Sequence, residues 1–302
     1  MSFTSKIKTE LVNTDEKKLE KLSILSGFLK NSSEGSGNLK IITENVSIAK
    51  WAFNNLKDIY GALIKVSVKN GYNYNKNYIY SLNLYSKNDE IIKDLSLNHN
   101  IPSNYLIDDE DSKRAYLKGV FLASGSVNDP KKSRYHMEFS FLNSEYATFI
   151  NNLLLSYNLN SKILKRDLKY VIYIKESEKI ADFLRIIKAT SALLYYENIR
   201  IYRNEKNNLN RINNCEQANV DKMIQTAKNQ IDDINFLKEK DAFDLLDDKV
   251  KEACIYRLKY KEVSLLELSR IMSAETQNSI TKSGLHHRFS KVKDIVNKMK
   301  NK

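Results

Sequence analysis

The chain has 302 residues, 49 Lys and Arg against 37 Asp and Glu for a formal charge of +12, and only 8 Gly and 2 Pro. That length exceeds what one hydrophobic core usually serves, and 42% hydrophobic residues with 18 Tyr and 11 Phe exclude a disordered chain, so two or three packed domains are expected. No window approaches the roughly 18 apolar residues of a membrane span, the opening residues Met1 to Glu10 lack an apolar signal core, and Cys215 and Cys254 form no CxxC, so the expectation is a cytoplasmic protein without a disulfide framework or zinc ribbon.

Two copies of one unit fill the first two thirds of the chain. The first opens with an apolar helix, Leu22 to Leu29, containing Gly27, and a strand at Leu39 to Ile42. Val46, Ala49, Phe53, Leu56 and Tyr60 then share one helix face, strands fall near 63–69 and 77–85, and a helix from Asp89 to Leu95 closes the copy. The second copy repeats that order. Tyr116 to Leu122 contains Gly119, Tyr135 to Phe141 alternates as a strand, and Tyr146, Phe149, Leu153 and Tyr157 share a helix face. Strands at 161–166 and 169–175 and a helix from Glu178 to Leu184 complete it. The expected fold class is α+β: duplicated αββαββα units over 1–110 and 111–195, then an all-α module.

Residues 195–216 are polar and Asn-rich and read as a linker, within a 196–242 segment whose Ala218 to Leu237 forms a helix with Val220, Ile224, Ala227, Ile231 and Ile234 on one face. From 243 to 302 the pattern is helical throughout. Leu245, Val250, Ala253, Ile255 and Leu258 suggest a first helix, and Ser264 caps a second ending at Met272, with Glu267 placed as in a capping box. A connection over 273–280 leads to a third helix, started by Thr281 or Ser283, whose apolar stripe is Leu285, Phe289, Val292 and Val296. Together, residues of about 263–296 follow a helix-turn-helix plan.

Gly inside a helix costs about 1 kcal/mol relative to Ala, so equivalent glycines in two apolar helices need an offset. Close backbone approach supplies one, and the copies are expected to dock through these helices across a pseudo-twofold. Leu117-Lys-Gly-Val-Phe-Leu-Ala-Ser-Gly125 resembles the LAGLIDADG motif of homing endonucleases, whose monomers carry two such units. More closely, Arg114 through Pro130, followed by Tyr135-His136, resembles the WhiA family of bacterial regulators. Thr43-Glu-Asn45, Tyr173-Ile-Lys-Glu176, Glu197-Asn-Ile-Arg200, Asn210 through Asn219 and Lys282-Ser-Gly284 extend the likeness along the chain. It is thinner in copy one, and the Asn- and Lys-rich loops at 70–77 and 98–104 depart from it.

The LAGLIDADG chemistry requires an acid at the penultimate motif position of each central helix, where two carboxylates hold divalent metal ions. Here those positions carry Ser124 and Ser32, whose hydroxyls cannot supply that charge, and Glu34 and Asp129 fall past the helix ends. No cofactor or metal is expected: GxGxxG and P-loop motifs are missing, and His99, His136, His286 and His287 have no ligand spacing. His136 and Glu138 share a strand face as a solvated pair, and Cys215 is expected to be a buried structural thiol.

Lys outnumbers Arg 39 to 10 beside 34 Asn, a usage that AT-rich codons explain, so the distribution of charge carries more than its total. Residues 282–302 hold seven basic residues and one acid, half the net excess, while 199–281 balance at 14 of each. On the third helix of the module, Lys282, Ser283, His286 and His287 are placed to read base edges, and Arg288, Lys291 and Lys293 to neutralise phosphates. Lys162, Lys165 and Arg166, with Lys169 and Lys175, offer accessory DNA contacts in copy two. Glu138 and Glu176 oppose that, so a DNA saddle and a protein-binding platform both stay open. Arg200, Arg203 and Arg211 could contact phosphate or bond internally.

The WhiA resemblance implies a non-cutting LAGLIDADG domain tethered to a helix-turn-helix. It also implies roles in cell division, chromosome segregation and transcription control, residence at the nucleoid, and double-stranded DNA as the partner. Another transcription regulator or RNA polymerase components are further implied partners. The rival readings are a metal-dependent endonuclease and a scaffold without DNA affinity.

Overall fold

A computed structural model describes residues 1–34, 38–70, 78–132 and 134–301; apart from Asn70 the loop expected at 70–77 lies outside the described residues, as does the Glu34 side chain. The chain forms two units, Met1–Asn204 and Glu205–Lys302.

The first unit opens with a helix that sequence periodicity left unread, α1 (Phe3–Leu11). Ser2 caps it by accepting from the Ser5 N–H, and Phe3, Ile7 and Leu11 bury one stripe at i, i+4, i+8. The first copy follows as α2 (Lys18–Ser32), β1 (Ser33–Glu34), β2 (Lys40–Thr43), α3 (Val46–Tyr60), β3 (Ile64–Asn70), β4 (Tyr78–Leu84) and α4 (Asn88–Asp94). After a short 3-10 turn at Asn104–Leu106 the second copy repeats it: α5 (Glu110–Ser124), β5 (Gly125–Val127), β6 (Met137–Phe141), α6 (Ser144–Ser156), β7 (Lys162–Arg166), β8 (Lys169–Ile174) and α7 (Ser177–Ile186). The two antiparallel sheets have the same order, β1-β2-β4-β3 and β5-β6-β8-β7. Even the caps repeat. Asn45 accepts from the backbone of Ser47 and Ile48 at the start of α3, and Asn143 from that of Tyr146 at the start of α6.

α2 and α5 join the copies. A Cβ added to Gly27 would lie 2.5 Å from the Tyr116 carbonyl oxygen and 3.1 Å from the Val120 nitrogen, and one added to Gly119 would overlap the Ile24 carbonyl. The backbones therefore touch where only hydrogen fits, which is the offset the helical glycines required. Around that contact Ile24, Leu25, Phe28, Tyr116, Val120 and Phe121 are almost completely buried.

From Thr190 the chain enters α8 (Thr190–Glu239), one continuous helix of 50 residues. The polar stretch expected as a linker is thus helical. No Gly or Pro occurs between Pro130 and Gly284 to end a helix, and residues 204–222 are exposed on every side, so no apolar period marks them. Cys215 is accordingly exposed rather than buried, and Cys254 is the buried thiol.

The second unit contains the remainder of α8, a 3-10 turn at Phe243–Leu245, α9 (Asp248–Lys259), α10 (Leu265–Thr276) and α11 (Lys282–Lys300). Its core gathers Ile234, Leu237, Val250, Ala253, Cys254, Leu268, Met272, Leu285, Phe289, Val292 and Val296. The expected stripes were too wide in two places. Leu245 and Ile255 are 85% and 55% exposed, and Val220 and Ile224, 45% and 52% exposed, continue the α8 stripe beyond the core that covers Ala227 and Ile234.

Candidate nucleic-acid interface

α10 and α11 set the geometry of the C-terminal surface. Ser264 Oγ accepts from the Glu267 N–H at 3.1 Å, the cap expected from the sequence. α10 continues through Thr276 instead of stopping at Met272, so only residues 277–281 connect it to α11, and Gln277 ends it in the left-handed region at φ 56°. Ser273 Oγ pins this turn, donating to the Ser269 carbonyl and accepting from the Ile280 N–H at 2.9 Å. Thr281 then caps α11 by accepting from the Gly284 N–H at 3.1 Å.

With Leu285, Phe289, Val292 and Val296 packed inward, the helical turn of about 100° per residue puts Lys282, His286 and Lys293 on one exposed flank and Ser283 and His287 beside them. All five are exposed. Lys291 is also exposed, 3.6 Å from Asp247, the N-cap of α9. The Val250 N–H that Asp247 accepts holds its carboxyl below the usual range.

Arg288 is held by contacts within the module. Its Nη1 donates to the Lys249 carbonyl at 3.1 Å and stands 3.7 Å from Glu252, leaving the side chain 20% exposed. At the edge of the apolar stripe, a long side chain folds back over α9 and satisfies its charge there. Arg288 therefore braces the module against α9.

Ser32 and Ser124 occupy matching places, each the last residue of a central helix before the chain enters the edge strand of its sheet. Ser32 Oγ donates to the Phe28 carbonyl at 2.8 Å and Ser124 Oγ to that of Val120 at 3.1 Å, so both are tied to the turn before them. Asp129 accepts from the Lys131 N–H at 3.0 Å and from Tyr195 Oη at 3.4 Å, in a turn beyond β5. Among the described residues no three His, Cys, Asp or Glu come together as a metal site.

Strand parity sorts the accessory cations. In the second sheet Met137, Phe139, Ile172 and Ile174 face the core, so Lys162, Arg166 and Lys169 share the opposite face with Tyr173 and Glu138. Lys165 has the other parity and lies with its Nζ 6.0 Å from the Tyr170 ring, so it does not join that group. Lys175 stacks over the Tyr173 ring at 4.8 Å, and Glu138 pairs with His136 at 3.0 Å, both partly exposed as expected. The first sheet has a comparable open face that sequence reasoning passed over. Lys40, Lys65 and Lys69 are exposed opposite the core-facing Ile41, Leu82 and Leu84. The Lys65-Val-Ser-Val-Lys69 alternation carried that signal.

The three arginines of α8 divide as well. Arg200 pairs with Glu197 at 2.8 Å and Glu178 at 3.0 Å, and Arg203 donates to the carbonyls of Pro130 and Lys132 with its guanidinium 4.6 Å from the Tyr135 ring. Both bond internally. Arg211 is exposed.

Family profiles match in three places: the WhiA N-terminal LAGLIDADG-like domain over residues 22–98, the WhiA LAGLIDADG-like domain over 113–206, and the WhiA C-terminal HTH domain over 209–296. The chain is 40% identical over 312 residues to the probable cell division protein WhiA of Bacillus cereus strain AH187, covering 99% of this chain and 98% of that one. The protein of the same name from Bacillus anthracis strain CDC 684 matches to the same extent. The crystal structure of full-length WhiA from Thermotoga maritima has the same fold, with a TM-score of 0.60 at 23% identity over 99% of both chains. With the paired repeats joined at glycine helices, the three-helix module after them, and relatives aligned over nearly every residue, the chain belongs to the WhiA family.

Proposed function

We propose that this protein is a non-cutting, DNA-binding regulator that acts in cell division, as the name of its Bacillus relatives indicates, and that it grips double-stranded DNA chiefly through the exposed face of α11. The observation that carries this reading is the grouping of Lys282, Ser283, His286, His287 and Lys293 on the solvent side of a capped helix whose only acid is Asp294. Lys282, Lys291 and Lys293 would neutralise phosphates, and Ser283, His286 and His287, near the helix start, would meet base edges. Attachment at the nucleoid, and roles in chromosome segregation and transcription control, follow from that activity. Another transcription regulator or RNA polymerase components would meet the DNA-bound protein.

The serines at the two motif positions support a LAGLIDADG-like domain that binds without cutting. Its open sheet faces, with Lys40, Lys65 and Lys69 in one copy and Lys162 and Arg166 in the other, would add weak phosphate contacts.

Fluorescence anisotropy of the full chain with duplex DNA, over a salt series, tests the reading. Lys293→Ala should weaken binding and reduce the slope of log K against log salt by about 0.9 for each phosphate left without its cation, and His287→Ala should alter the preferred sequence. A full chain without DNA affinity would leave only the scaffold reading standing. Mg²⁺-dependent nicking that disappears in Asp129→Asn would establish the nuclease instead.

A further inference from the structure

The second unit holds a cation that the α11 face leaves unused. Arg257, in α9, is 1% exposed. Its Nη1 donates to the carbonyls of Tyr260 at 3.2 Å and Val263 at 2.8 Å, and its guanidinium lies 5.7 Å from the Phe289 ring. No carboxylate among the described residues pairs with it, and Nε has no hydrogen-bond partner. An unpaired buried charge is costly, and burial holds this guanidinium below its ordinary pKa.

The same side chain lines a groove of about 400 Å³. Ser264, Leu265 and Leu266, the start of α10, line it too. Ser264 Oγ is occupied by the Glu267 N–H, so the N–H groups of Leu265 and Leu266 are first-turn donors with no acceptor inside the helix. Lys222 of α8 and Lys282 of α11 complete its basic lining, and no Asp or Glu contributes to it. Three cations, two unpaired helical donors and the positive end of a helix converge on one concavity.

We propose that this groove is a phosphate site that seats one backbone phosphate of the duplex held by α11, an inference that rests on the DNA-binding reading above. A phosphate oxyanion supplies what Arg257 lacks: a counter-charge with several acceptor oxygens, matched to a planar guanidinium and to a helix N-terminus. Lys282 belongs both to the groove and to the first turn of α11, so a strand whose bases meet that turn runs past the groove. Bases make no contact there, and the site adds affinity without sequence preference.

Two arms with the full-length protein separate the sources of such an anion. In the first, anisotropy with duplexes of two unrelated sequences is followed over a salt series for wild type, Arg257→Met, Lys222→Ala and, as the α11 reference, Lys293→Ala. Both groove variants should weaken binding to the two sequences by the same factor and lower the salt slope by about 0.9. Lys222 lies on the exposed surface of α8, so Lys222→Ala carries the test should Arg257→Met fail to fold. In the second arm, inorganic phosphate is titrated calorimetrically against chloride of equal ionic strength; wild type should bind it, and Lys222→Ala should bind it several-fold more weakly.

If Lys293→Ala loses DNA while both groove variants keep the wild-type affinity and slope, the groove assignment falls and the DNA reading stands. If wild type binds phosphate but no duplex, the groove is a site for a free phosphate and the DNA source is overturned. Absence of both signals overturns both.

Discussion

Replacing Gly119 with Ala puts a methyl group into the joint that holds the two repeats together. On helix propensity alone the change should stabilise α5 by about 1 kcal/mol. Packing reverses the sign. The new Cβ would overlap the Ile24 carbonyl oxygen and lie 2.8 Å from its carbon and 3.0 Å from its Cα, all backbone atoms of α2. No side chain can swing aside, so relief requires the two helices to part, and with them the buried packing of Leu25, Phe28, Tyr116 and Val120. Overpacking costs about 1–3 kcal/mol, and a backbone obstacle belongs at the upper end of that range. After the propensity gain, a net loss of about 2 kcal/mol is expected. Trp51, the single tryptophan, reports on this unit, because its ring packs edge-on against Phe28 of α2 with centroids 5.4 Å apart. For a urea m-value of about 2 kcal/mol/M, the Trp51 fluorescence midpoint should fall by roughly 1 M. Gly284→Ala is the companion: its Cβ would meet only Thr281 Oγ, at 3.3 Å, so the second unit should hold its stability or gain up to about 1 kcal/mol. A Gly119→Ala protein whose Trp51 transition stays at or above the wild-type midpoint would refute the close approach.

Lys118 and Glu16 pair at 2.5 Å with side chains only 5% and 9% exposed, so Lys118→Met should cost about 3–5 kcal/mol and adding Glu16→Gln should recover most of it; equal melting temperatures for all three proteins would discount the pair. Burial pushes the Glu16 carboxyl up, but hydrogen bonds with Glu20, Lys118 and Thr14 and the Lys118 charge outweigh it and bring it down to about 2. A depressed folded value means this stability is present above about pH 4.5 and is lost as pH falls towards 2, so melts of Glu16→Gln should show a flatter acid limb, and an equally steep one would count against the assignment. Arg203→Ala removes bonds of 2.8 and 2.7 Å to the Pro130 and Lys132 carbonyls and should lower first-unit stability by about 1.5–3 kcal/mol with DNA affinity unchanged; a reduced salt slope would return Arg203 to the phosphate-binding set. Arg288→Ala should lower the melting temperature of the second unit and leave the salt slope of DNA binding intact, the reverse of Lys293→Ala, and a slope lowered by about 0.9 would restore Arg288 to the interface.

The duplication, the element order of both copies and the three module helices were legible in the chain itself, because each rests on short-range physics. Alternation in Tyr135 to Phe141, the 3.6-residue stripe of Leu285, Phe289, Val292 and Val296, and the cap at Ser264 depend only on neighbours a few residues away. The need for close helix approach was likewise visible in Gly27 and Gly119, as was the matching placement of Ser32 and Ser124 at the ends of the two central helices. Tertiary structure decided what local pattern leaves open. The Asn-rich stretch of α8 is helical with no buried stripe to announce it, and Cys215 is exposed for the same reason. Arg288 and Lys293 are cations on one helix, yet a shift of position around its axis sends one back to Glu252 and the other to solvent. Lys165 differs from Lys162 and Arg166 only in strand parity relative to the core. Arg257 appears in sequence as one more surface charge, and only the packing of the α9–α10 turn buries it beside the first turn of α10. Local periodicity specifies which face of an element is apolar; where a long charged side chain finds its partner depends on elements distant in sequence, and that is settled only when they pack.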